Sequence, residues 1–214
     1  LYAKEFDMHP TDVTATLRAF DPSVVARLER DAWVAYYRHE WLALLRASIA
    51  LGRHTFGLSW PMTIRCAWLA LRATQLWAPF PHNHPDRARR LTERFYRILH
   101  KRYAEPSDPA VAASLELNWW RAHRNNQYSV SGGDEGELVD ALVKLYSYVY
   151  GISERSTRRA AEERVVALRL SDQWVREGCD LNSLLIDEER AALERSYTAL
   201  LTGLEGDDAG GARH

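Results

Sequence analysis

Residues 108–124 read DPAVAASLELNWWRAHR and are the part of the chain most informative about its fold. At 3.6 residues per turn, the apolar positions of this stretch share one helical face. That face consists of Ala112, Ala113, Glu116, Trp119, Trp120 and His123. A carboxylate and an imidazole therefore lie among tryptophans on the apolar side of a predicted helix. Asp108 and Pro109 are typical of the N-cap and the first position of such a helix.

The same periodicity on both sides of this stretch predicts an all-α fold. Besides the helix after Asp108, helices are predicted over about 23–52, 60–77, 85–103, 135–150, 153–178 and 184–204. The sequence has no alternating strand pattern and no internal repeat. We therefore expect a single-domain bundle of about seven helices over residues 22–205, preceded by a short N-terminal arm (1–21) and followed by a disordered acidic tail (206–214).

The composition is typical of a packed soluble protein that is rich in arginine and tryptophan. Its 28 basic and 29 acidic residues give a net charge of -1, which argues against a surface built for nucleic acid. No apolar run is long enough to span a membrane. Cys66 and Cys179 lack metal-type spacing, and residues 1–10 lack the apolar core of a signal peptide, so a cytoplasmic location is predicted.

Several familiar catalytic signatures are absent from the sequence. It contains no GxGxxG, GxxxxGK[ST], HExxH, GxSxG or DDxxD motif, which disfavours nucleotide hydrolysis and serine hydrolase chemistry. The paired Glu-x-x-His motifs of di-iron bundles are absent as well. The sequence therefore predicts no metal site and identifies no cofactor.

Charged residues fall repeatedly on the apolar arcs of the predicted helices. Because buried charges need partners, we expect them to form an interior cluster of arginines and carboxylates. Its predicted members are Arg38, Glu40, Arg65, Arg72, Glu116, Glu163 and Asp172. Arg164 and Ser171 also fall on the inward arc of their helix.

This pattern predicts an apolar pocket for a small organic molecule, with the buried charges holding its polar end. The predicted ligand-binding residues are Arg38, Glu40, Arg65, Arg72, Gln75, Trp119 and Trp120. If the protein is an enzyme, Glu116 and His123 are the predicted catalytic pair, with His123 as general base oriented by Glu116. The structural alternative is that Glu116 simply pairs with Arg65 or Arg72.

A second functional hypothesis rests on the helix predicted over 85–103. Its polar face carries the basic residues Arg87, Arg90, Arg94, Arg97 and Lys101 opposite an apolar face. Such a basic face could bind an acidic partner, anionic lipid or phosphate. In this alternative the protein is an interaction module, with Arg90, Arg94, Arg97 and Lys101 as the partner-binding residues.

Overall fold

A computed structural model describes residues 20–103, 107–128 and 134–211, and over these ranges the chain forms eight helices and no strand. In chain order the helices are α1 (Pro22–Tyr37), α2 (Trp41–Phe56), α3 (Trp60–Trp77), α4 (Pro85–Tyr103), α5 (Pro109–Tyr128), α6 (Glu135–Tyr150), α7 (Glu154–Arg176) and α8 (Leu184–Gly211). The prediction of a single all-α domain is confirmed.

The additional helix results from a break in the first predicted helix. The chain leaves helical geometry at His39, whose φ of 58° is left-handed, and α2 begins two residues later. The segment 23–52 is therefore two helices, α1 and α2, that pack against each other. Neither glycine nor proline marks the break, so the sequence carried no local signal for it.

Prolines and capping side chains define several helix starts. Pro22, Pro85 and Pro109 are the first residues of α1, α4 and α5. Asp21 caps α1 by accepting a hydrogen bond from the backbone N–H of Ser23 at 2.9 Å.

Both chain ends differ in extent from the sequence-based boundaries. Residues 1–19 of the predicted arm and 212–214 of the predicted tail lie outside the described residues. At the C-terminal side, α8 continues to Gly211, whereas the sequence predicted that this helix ends near residue 204. None of the helices in the described ranges has the length and apolar character to cross a membrane.

The eight helices form a closed ring. Each helix packs mainly against its neighbours in the chain, and α1 packs against α8 to complete the circle. Neighbouring helices share apolar clusters, such as the one in which Trp119 of α5 meets Leu142 of α6 and Leu168 of α7. A ring of this kind leaves an interior toward which all eight helices turn a face, and the candidate site lies there.

Candidate functional site

The interior of the ring contains a cavity with two lobes. We call them the large lobe, of about 280 Å³, and the small lobe, of about 260 Å³. The large lobe is lined by α2 to α8 and the small lobe by α1, α2, α3, α5 and α7. The side chains that border both lobes are Ser48, Leu51, Thr74, Glu116, Trp119, Trp120 and Arg164. Glu116, Trp119 and Trp120 from the most informative stretch of the sequence therefore lie between the two lobes.

Glu116 is held by three uncharged donors. Its Oε2 atom accepts a hydrogen bond from the Tyr96 hydroxyl at 2.7 Å, and its Oε1 atom accepts from the indole N–H groups of Trp119 and Trp120 at 3.0 and 3.1 Å. Desolvation raises the pKa of Glu116, although these hydrogen bonds oppose the shift. The predicted pairing with Arg65 or Arg72 is wrong, because both of those side chains are exposed.

Arg164 of α7 is a buried cation that borders both lobes. Its Nη1 atom donates to Glu29 Oε2 of α1 at 3.0 Å, and its Nη2 atom forms an ion pair with the same carboxylate. Glu29 also accepts hydrogen bonds from Tyr197 and Trp33. Desolvation is the largest influence on the pKa of Arg164 and lowers it, but the Glu29 carboxylate together with Tyr146 and Tyr197 outweighs this effect, so the pKa is raised. The Arg164 Nε atom is buried without a hydrogen-bond partner among the described residues.

His123 borders the small lobe and is paired with Asp172 of α7. Its Nε2 atom lies 3.1 Å from Asp172 Oδ2 and 3.2 Å from Oδ1. Asp172 also accepts hydrogen bonds from Gln127 at 2.8 Å and from Tyr37 at 3.5 Å. The imidazole is therefore oriented by a carboxylate, as a general base requires, but the carboxylate is Asp172 and not the predicted Glu116.

Four predicted members of the interior cluster lie on the surface. Arg38 and Glu40 flank the α1–α2 break and pair with each other at 2.7 Å, while Arg65 and Arg72 occupy the outward face of α3. Of the predicted ligand-binding residues, only Trp119 and Trp120 line the cavity. Gln75 is half-buried and accepts a hydrogen bond from the exposed Arg72 instead. The reason is that α3 is apolar on almost every side. Its inward face is rich in small residues, including Ala67, Ala70 and Ala73, so the sequence pattern alone could not distinguish it from the outward face.

Glu163 and Asp172 are buried, as predicted, but only Asp172 is near the cavity. Glu163 is paired with Arg159 and Arg195 at the edge of α7 and α8. The predicted interior cluster omitted Glu29, Glu189 and Arg164, although the sequence places Arg164 on the inward arc of its helix. A signal existed for both carboxylates, because each lies within four residues of buried apolar neighbours on its own helix.

The other reactive side chains of the described ranges form no recognisable catalytic or metal centre. In the part of the chain that the structure describes, no group of three or more His, Cys, Asp or Glu side chains could hold a metal ion. Cys66 borders the large lobe, and burial raises its pKa to about 11, which keeps the thiol protonated.

The predicted basic face of helix 85–103 lies on α4 and is solvent-exposed. Arg90, Arg94, Arg97 and Lys101 all point outward. Arg97 is bound to Glu93 at 2.5 Å, so one of the four charges is partly compensated. This face is on the outside of the ring and does not contribute its charged groups to the cavity.

Comparisons with known proteins identify no relative. No family model, no curated protein and no solved structure matches this chain, so a function can be argued only from the site itself.

Proposed function

We propose that this protein binds a small, predominantly apolar organic molecule inside the helical ring. The observation that carries the proposal is the two-lobed cavity, lined mainly by aromatic and aliphatic side chains with a few convergent polar groups at the junction of its lobes. Ligand pockets in helical proteins have this composition, because apolar walls supply affinity and a few polar groups supply orientation.

The polar end of the ligand is proposed to lie between Glu116 and Arg164. Both side chains border both lobes, and the Arg164 Nε–H group has no partner among the described residues. The Thr55 hydroxyl, which borders the large lobe, is likewise buried and without a partner in the described ranges. A ligand hydroxyl or carbonyl would satisfy such groups, whose burial without partners is unfavourable.

Binding can be tested with N-phenyl-1-naphthylamine, an uncharged apolar fluorophore that is small enough for one lobe. We expect saturable binding to the wild-type protein. Ala70→Phe should weaken this binding at least about tenfold, because Ala70 borders the large lobe and the phenyl ring would occupy it. Ala110→Phe is the matched control, since Ala110 borders neither lobe. Absence of binding, or equal binding by both variants, would contradict the proposal.

The proposed contact between Glu116 and the polar end of the ligand must be tested with the natural ligand. Native mass spectrometry of freshly purified protein should detect a retained organic molecule, and Glu116→Gln should lower its occupancy because the charge at the junction is removed. Arg72→Ala is the control for a general loss of binding, since Arg72 is exposed. Equal occupancy in Glu116→Gln and the wild type would argue against Glu116 as a ligand contact.

The His123–Asp172 pair favours proton transfer as a second candidate function. An imidazole oriented by a carboxylate at the edge of a cavity can remove a proton from a bound molecule. In this step the proton passes from a carbon of the bound molecule to the imidazole and is then returned, so wild-type protein in deuterium oxide should exchange a carbon-bound hydrogen of the molecule for deuterium and raise its mass. His123→Gln should not catalyse this exchange, and equal exchange in both proteins, or none in the wild type, would leave binding as the function.

The alternative to ligand binding is that the protein is an interaction module whose basic α4 face binds an acidic partner. Its support is the exposure of Arg90, Arg94, Arg97 and Lys101. Reversing the charge of the first three should abolish salt-sensitive capture of an anionic partner and leave fluorophore binding unchanged.

A further inference from the structure

Positive charge is concentrated in three consecutive helices of the ring. Residues 41–103, which span α2 to α4, contain eleven arginine and lysine residues and only two acidic residues, Asp86 and Glu93. This segment therefore carries a formal charge of +9 in a chain whose net charge is -1. The rest of the chain carries -10. From residue 41 to residue 85 there is no acidic residue.

The middle helix of this basic segment exposes a row of large apolar side chains. Trp60, Ile64 and Trp68 of α3 are spaced one turn apart and are 60%, 50% and 53% exposed. Arg65 and Arg72 are exposed on the same helix, and the guanidinium of Arg53 on α2 lies 4.9 Å from the Trp60 ring centroid. Large apolar side chains exposed in a row on a soluble protein mark a surface that contacts something other than water.

The neighbouring helices extend this surface with further exposed groups. Because α2 and α4 flank α3 in the ring, their outward faces adjoin its apolar row. On α2 the exposed side chains include Leu42 and Arg46, and on α4 they include the basic face described above. The result is an apolar row with cationic groups on both sides.

We propose that the outward face of α2 to α4 docks on an anionic phospholipid membrane. The tryptophans and Ile64 would enter the boundary between headgroups and acyl chains, while the flanking arginines contact lipid phosphates. This arrangement lies on the membrane and does not span it. The inference is independent of the ligand proposed for the cavity.

Charge and side-chain type favour a membrane over other occupants. A second copy of the chain, docked by twofold symmetry, would bring the same arginines together and leave them without counter-charges. A nucleic acid would supply phosphates, and its bases can stack on Trp60 and Trp68, but it offers nothing that matches the aliphatic Ile64 and Leu42 of the same surface. Acyl chains match these aliphatic residues, and an anionic headgroup matches the arginines.

Vesicle flotation of the full chain tests the proposal. We expect the wild type to float with vesicles of 70% phosphatidylcholine and 30% phosphatidylglycerol at low salt, and to bind phosphatidylcholine vesicles at least about tenfold more weakly. Trp60→Ser/Trp68→Ser and, separately, Arg65→Glu/Arg72→Glu should each reduce flotation at least about tenfold. Added salt should reduce binding of the wild type.

Two exposed leucines elsewhere provide the matched control. Leu181 and Leu184 are 57% and 76% exposed but lie outside the basic segment, so Leu181→Ser/Leu184→Ser should float like the wild type. Circular dichroism should show that all variants remain helical. The proposal is overturned if the wild type does not float with anionic vesicles, or if the tryptophan variant floats equally well. It is also overturned if size-exclusion chromatography shows a dimer that Arg65→Glu/Arg72→Glu disrupts, or if the wild type binds RNA but not vesicles.

Discussion

Glu189 shows how a single buried carboxyl influences the response of the protein to pH. It lies on α8, is 1% exposed, and its Oε2 atom has no hydrogen-bond partner among the described residues. Desolvation, followed by the nearby Glu29 carboxylate, raises its pKa to about 8. In the unfolded chain the group ionises near its ordinary value of 4.5. Between these values the folded state binds the extra proton, so stability decreases as the pH rises.

Glu189→Gln should remove this component of the pH dependence. We expect urea unfolding to show that the wild type loses a few kcal/mol of stability relative to the variant between pH 5 and pH 8. Glu188→Gln is the control, because Glu188 is the exposed neighbour in the chain. Parallel pH profiles for the wild type and Glu189→Gln would show that Glu189 is ionised in the folded protein.

The Glu29–Arg164 ion pair is buried, so removing one of its partners should be costly. Arg164→Met would leave the buried Glu29 carboxylate without its cation, so we expect a loss of about 3 to 5 kcal/mol in the free energy of unfolding. Arg72→Ala should cost under about 1 kcal/mol, since Arg72 is exposed and bonds only to Gln75. Chemical denaturation at pH 7 measures both values, and similar losses would mean that Arg164 is not buried in solution.

At the scale of the helices, α7 and α8 approach each other closely at Gly203. A Cβ atom added at this position would lie 2.4 Å from the carbonyl oxygen of Ser156 on α7. Real Cβ atoms do not approach an oxygen so closely, and neither of the two backbones can move without separating the helices. These two helices carry Arg164 (α7) and Tyr197 (α8), whose side chains face the cavity.

Gly203→Ala should therefore destabilise the protein by about 1 to 3 kcal/mol, even though alanine is the better helix former. Gly206→Ala is the control on the same helix, because a Cβ atom at Gly206 meets nothing within 4 Å. That variant should be neutral or up to about 1 kcal/mol more stable. Thermal denaturation of the two variants distinguishes these outcomes, and a stabilised Gly203→Ala variant would contradict the close packing.

At the scale of the whole molecule, ring closure connects the features described above. The contact between α1 and α8 closes the ring and brings Glu29 to Arg164 and Tyr197, which are 135 and 168 residues away in the chain. Ring closure also separates an inward surface, which carries the cavity, from an outward surface, which carries the charge. A central cavity and a basic outer face can therefore coexist in one small domain.

The sequence by itself determined the all-α class, every helix except the division of the first into α1 and α2, and the polar character of one helical face. Prolines at helix starts, capping residues and 3.6-residue periodicity are local signals that extend over one or two turns, so they can be recognised in the sequence without knowledge of the fold. For the same reason the sequence could predict which residues share the inward face of α5. Glu116, Trp119, Trp120 and His123 are on one side of one helix, and that side borders the cavity.

Only the tertiary structure decided which residues meet inside the ring. No glycine or proline marks the reversal of the chain at His39. A helix that is apolar on all sides, such as α3, has an inward face only because of the helices that pack against it. Arg65 and Arg72 are therefore outside, where solvent hydrates their charge. His123 finds Asp172 rather than Glu116 because partners across a ring are set by how the helices pack, and no local pattern contains that information.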